Sequence, residues 1–133
     1  MRRGALAVTV VAAAMVLAFV GECSSANAGK VMLTGKWSIN CGGGGTYYLR
    51  QINDEVWWIG ESPDGGRTWT NIGHGQIKGK VLTVRWADAP RGSCSGSGII
   101  TLELVTKGDE VVELRKTKQD GANFGGDTFK PLK

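Results

Sequence analysis

The sequence predicts an all-β domain, a small antiparallel up-and-down barrel of about eight strands. Three observations predict it. From residue 29 onward apolar residues alternate with polar ones, and no stretch places them at the i, i+3, i+4, i+7 spacing of a helix face. Turn signals recur at short intervals in a chain with 21 Gly and only 3 Pro. All five Trp lie beyond residue 29, among other strand-favouring residues. A run of consecutive strands with short links closes most simply on itself, because closure removes exposed sheet edges. A two-sheet sandwich is the alternative.

The elements follow in order. Gly35 to Asn40 is the first strand, ended by Cys41 and the four glycines 42 to 45. Thr46 to Gln51 is the second, and Asn53-Asp54 turns it into a third, Glu55 to Glu61. Pro63-Asp64-Gly65-Gly66 is a strong turn, with Pro pre-set for the first corner and Gly able to take positive φ. The fourth strand lies within Arg67 to Lys78, where Gly73 and Gly75 are expected to bend or bulge it. Gly79-Lys80 makes a hairpin into the fifth, Val81 to Ala87, and Asp88 to Gly96 is a loop. Ser97 to Val105 and Val111 to Thr117 are the sixth and seventh strands. A Gly-rich loop, 120 to 126, precedes a short last strand around Asp127 to Lys130.

Alternation assigns faces. Leu82, Val84 and Trp86 share one side, as do Ile100, Leu102 and Leu104, and then Val112 and Leu114; these are expected in the core. In the third strand Val56 and Trp58 lie on one side, with Trp57, Ile59 and Glu61 on the other. The side carrying the carboxylate is expected to be the outer or mouth-facing one, so Trp58 is expected in the core and Trp57 free to meet a ligand.

Residues 1–28 read as a secretory signal peptide: Arg2 and Arg3, the apolar run Ala5 to Val20, then Ala26-Asn27-Ala28 as a cleavage site. The run falls short of the roughly 20 residues of a membrane span, so the exported form, 29–133, has none. The expected location is therefore secreted or periplasmic. Cys41 and Cys94 remain in that form, and an oxidising compartment makes them the expected disulfide. The net charge of +4 is spread along the chain, without the dense basic stripe of a nucleic-acid binder.

Gly35-Lys36-Trp37 resembles the G-x-W opening of the calycin barrels, the group of lipocalins and avidins, and Gly126-Asp127-Thr128-Phe129-Lys130 resembles the last strand of streptavidin. The resemblance implies a closed barrel, with Trp37 plugging one end beneath a basic residue of the last strand, Lys130. It does not carry over biotin binding: Ile39 stands two residues after the Trp, where that site has Asn.

Chemistry is sparse. His74 has no Ser or Cys nucleophile near it in sequence, and Asp64 and Asp88 sit in turn or loop sequences rather than as a pair of carboxylates. The glycines 42 to 45 lack the Lys and following helix of a phosphate loop. The sequence therefore reads as a binding module and not an enzyme, with no metal site and no cofactor. Tyr47, Tyr48, Trp57 and Trp69 offer stacking faces, and Arg50, Gln51, Glu61 and Asn71 hydrogen bonds, for a small molecule or glycan; the other reading of these aromatics is that they fill the core of a small barrel. The alternative is a secreted protein partner, such as an enzyme inhibited through loop 88–96.

Overall fold

The computed structural model describes residues 31–40 and 43–133. It contains β1 (Gly35–Ile39), β2 (Thr46–Ile52), β3 (Glu55–Glu61), β4 (Thr70–Lys78), β5 (Val81–Asp88), β6 (Ser97–Lys107), β7 (Glu110–Gly121) and β8 (Thr128–Pro131). Each strand pairs antiparallel with the next, and β8 pairs with β1 to close the barrel. The expected leader and its cleavage site lie outside the described residues.

The two ends of the barrel differ. At one end the strands are joined by the tight turns Asn53-Asp54, Gly79-Lys80 and Gly108-Asp109. Asn53 holds φ at 54°, a left-handed conformation that Asn tolerates better than most residues. At the opposite end lie all the longer connections: 40–45, 62–69, 89–96 and 122–127. That end is a loop-rimmed mouth.

The tight-turn end is plugged. Leu33 is fully buried there, and Trp37 is buried behind it. Trp37 Nε1 donates to the Leu33 carbonyl at 3.0 Å. Gln51 clamps the same segment: its Oε1 accepts from Leu33 N–H at 2.8 Å, while its Nε2 donates to the carbonyls of Val31 and Asn53. Lys130 pairs with Ser38, points outward and is exposed, and its carbonyl accepts from the Ser38 hydroxyl. Leu33 is the residue bonded to the Trp37 indole in the structure.

Inside, the large aromatics are seated by glycines. Tyr47 is paired with Gly60, Trp58 with Gly73 and Trp86 with Gly98. A Cβ added at Gly60 would come within 2.4 Å of the Tyr47 ring, and one at Gly73 within 2.4 Å of the Trp58 ring. A narrow barrel has room for an indole only where its neighbour on the next strand has no side chain. This corrects the expected bend at Gly73 and Gly75. The ladders of β4 run unbroken on both sides, and its glycines make room for Trp58 and for Val84.

Two irregularities in the β6–β7 ladder revise the facing of β7. The register shifts between Val105 and Thr106, so Thr106 pairs with Val111 and Val105 with Glu113. The extra residue is Val112, so Val111 rather than Val112 is buried alongside Leu114. A second shift, between Thr101 and Leu102, places Lys116 opposite the core residue Leu102, with its side chain largely covered.

Candidate functional site

The mouth is built from the inward-facing residues at the loop end of β2, β4 and β5. Tyr47, Asn71 and Trp86 are all buried. Trp58 Nε1 donates to Asn71 Oδ1 at 3.1 Å, and Asn71 Nδ2 donates to the Tyr47 hydroxyl at 2.8 Å. A hydrogen-bonded chain thus runs from the core to the mouth, and its central amide is only 4% exposed. Buried amides are tolerated when satisfied in this way.

Above this chain is a cavity of ≈ 260 Å³, lined by Tyr47, Trp69, Asn71, Trp86, Asp88 and Phe124 among others. Trp69 belongs to the 62–69 connection, one residue before β4. Its ring stands 5.7 Å from that of Tyr47 and fills the space a Cβ on Gly45 would need. Phe124 enters from the 122–127 connection and packs edge-on against Trp86 at 5.1 Å. Trp86 Nε1 is buried and has no hydrogen-bond partner among the described residues. Leaving such a donor unpaired costs about 1–3 kcal/mol.

The rim is held by polar contacts. Asp64 Oδ1 accepts from the N–H groups of Arg67 and Thr68, and Oδ2 accepts from the Thr68 hydroxyl at 2.6 Å. The Ser62 hydroxyl also donates to Asp64, and these bonds hold its carboxyl well below the usual carboxylate range. The 89–96 connection is tied to this turn through Ser93 and Cys94, whose N–H groups donate to the Thr68 carbonyl. Asp88 and Gly96 bond reciprocally at its base. Lys116 holds the 122–127 connection: Nζ donates to the Phe124 carbonyl at 2.6 Å and to Gln119 Oε1 at 3.0 Å, and pairs with Asp127 at 3.1 Å.

The residues expected to bind ligand are divided by the barrel wall. Tyr47 (1% exposed) and Trp69 are at the mouth, while Tyr48 (43%), Trp57 (38%) and Arg50 lie on the outer wall. There Lys36 Nζ sits 5.9 Å from the centre of the Tyr48 ring, and Trp57 stacks on His74 at 4.7 Å. Trp58 is 4% exposed, so the third strand faces as alternation assigned it. Asn71, expected to hydrogen-bond a ligand, lines the mouth cavity, and strand parity could also have placed Trp86 there, since it lies just before a long connection. Phe124 had only the weaker signal of one large apolar residue within a glycine-rich loop.

Cys94 is exposed at the rim and is in no disulfide among the described residues; Cys41, its expected partner, lies outside them. Among the described residues no group of His, Cys, Asp and Glu gathers to hold a metal ion, and no helix is long and apolar enough to cross a membrane. Compared with protein-family models, curated proteins and solved structures, this chain matches none.

Proposed function

We propose that this protein is an exported binding module that takes a small, flat, polar molecule in the loop-rimmed mouth of its barrel, a single sugar ring being the fitting size. The observation that carries this reading is the pairing of a buried amide, Asn71, with a buried donor, Trp86 Nε1, that has no partner among the described residues, beside one cavity. Polar groups set among aromatic faces are how small-molecule sites fix orientation. The volume, ≈ 260 Å³, is just below the range of about 300–1,000 Å³ for drug-sized ligands, which points to one ring and not a chain of them. Trp69 supplies a stacking face, and Asp88 an acceptor for hydroxyls. The likeness to calycin barrels is consistent with this: an eight-stranded closed meander with the G-x-W tryptophan on β1. Residues 1–28 supply the export signal in this reading.

The test is a screen of monosaccharides and small metabolites followed by tryptophan fluorescence. A hit should lose binding in Trp69→Ala and keep it in Trp57→Ala, with both variants folded. A hit that survives Trp69→Ala but not Trp57→Ala would move the site to the outer wall.

A second reading rests on the 89–96 connection. It is exposed yet tied by hydrogen bonds to the 62–69 turn, so little ordering would be needed for it to enter the cleft of a secreted enzyme. Capture of a protease or glycosidase by the wild type but not by a variant with 90–95 replaced by Gly and Ser would favour it.

A further inference from the structure

The outer wall carries a second concavity, unconnected with the mouth reading. Two outward-facing rows cross β2 to β6 in register. One runs Tyr48, Ile59, Ile72, Ala87, Ser97; the other runs Arg50, Trp57, His74, Arg85, Ile99. The exposed Tyr48, Ile59, Ile72, Trp57 and Ile99 make this wall apolar where a solvated barrel face would be polar. Side-chain size falls along the first row, from Ile72 to Ala87 and Ser97. Ile72 and the Trp57–His74 stack stand on one side and Ile99 and Arg85 on the other; the space between them is lined by Ala87 and Ser97 and by the inward-facing positions Trp58, Gly73, Trp86 and Gly98. The resulting groove measures ≈ 770 Å³, inside the range of about 300–1,000 Å³ for small-molecule sites.

Its charge is one-sided. Among the described residues no carboxylate lines the groove; Asp120, beside Ile99 on β7, lies 3.7 Å from Lys118. His74 Nε2 faces Glu55 at 3.4 Å, but Arg85 forms no ion pair among the described residues. An apolar trough with an unmatched guanidinium at its side is complementary to an anion with an apolar body.

We infer that this groove binds a free, single-chain anionic amphiphile, its apolar body along Ile72, Ala87 and Ile99 and its anionic group on Arg85. Ala87 and Ser97 carry smaller side chains than Ile72, Trp57 and Ile99 beside them, which leaves a trough suited to one alkyl chain. The Trp57–His74 stack forms a rigid end wall against the chain.

The experiment titrates the folded protein with decanoate and with uncharged decyl maltoside, both below micelle formation, following amide shifts and heat. Decanoate is expected to bind about tenfold more tightly than decyl maltoside, with shifts at Ile72, Arg85, Ala87 and Ile99. Arg85→Gln should erase that preference, and Ile99→Ser should weaken both ligands. Trp69→Ala should change neither, which separates this site from the mouth. Equal affinity for the two amphiphiles, or shifts confined to Trp69, Asn71 and Phe124, would overturn the inference. So would binding only to phosphatidylglycerol vesicles, or a wild-type dimer that takes up no decanoate but does so once Ile72→Ser makes it monomeric.

Discussion

Trp58 occupies the space that a side chain at Gly73 would fill: the two are paired across β3 and β4, and a Cβ on Gly73 would come within 2.4 Å of the indole. The indole cannot retreat freely, because its Nε1 is bonded to Asn71. Gly73→Ala is therefore expected to destabilise the barrel by about 1–3 kcal/mol, as overpacked cores do. Adding Trp58→Leu should return part of that loss, and a double-mutant cycle in urea would measure the coupling. Strictly additive effects would show that the contact is slack.

Trp37 holds the opposite end. Trp37→Ala removes a buried indole and the bond that secures Leu33, and should cost about 3–5 kcal/mol. Trp37→Phe keeps most of the volume and loses the hydrogen bond, so its cost should be clearly smaller. Thermal melts of both variants check this; an alanine variant melting within a few degrees of the parent would remove the plug role.

Lys116 is expected to govern the order of the mouth. Lys116→Met keeps the apolar stem but removes the ammonium bonded to the Phe124 carbonyl, Gln119 and Asp127. Hydrogen exchange should quicken across 122–127 while β2 to β5 stay protected. If the mouth is the binding site, ligand affinity falls as well, since Phe124 lines it.

Asp64 sets an acid test for the rim. Its carboxyl is depressed chiefly by the Ser62 hydroxyl, then by the Thr68 hydroxyl and the N–H groups of Thr68 and Arg67. A carboxyl depressed in the folded state stabilises fully above its unfolded pKa, and that contribution fades progressively as pH falls from there through the lower folded value; in the folded protein the carboxylate itself stays ionised until that lower value. The amide shifts of Arg67 and Thr68 should thus hold steady from about pH 5 to about pH 3, where an ordinary Asp, near 3.9, has largely protonated. Asp64→Asn should loosen the turn at every pH in that window.

The sequence by itself determined the strand count, the turns and the two faces of β3, because these are local: alternation and turn chemistry act over a few residues. Adjacent Tyr47 and Tyr48, like Trp57 and Trp58, had to point to opposite sides of the wall. Tertiary structure decided what those sides meet. Only closure of β8 on β1 defines an interior, and only then do Tyr47 and Trp69 separate from Tyr48, Trp57 and Arg50. The bulge at Val112 depends on the register with β6, which no pattern within β7 contains, so the buried valine was displaced by one. Gly73 and Gly75 were legible as unusual but not as seats for Trp58 and Val84, because the side chains that need the space lie on neighbouring strands. Phe124, Lys116 and Trp86 meet at the mouth for the same reason: long connections converge at one end of a closed barrel, and contacts between them are set by packing across the chain.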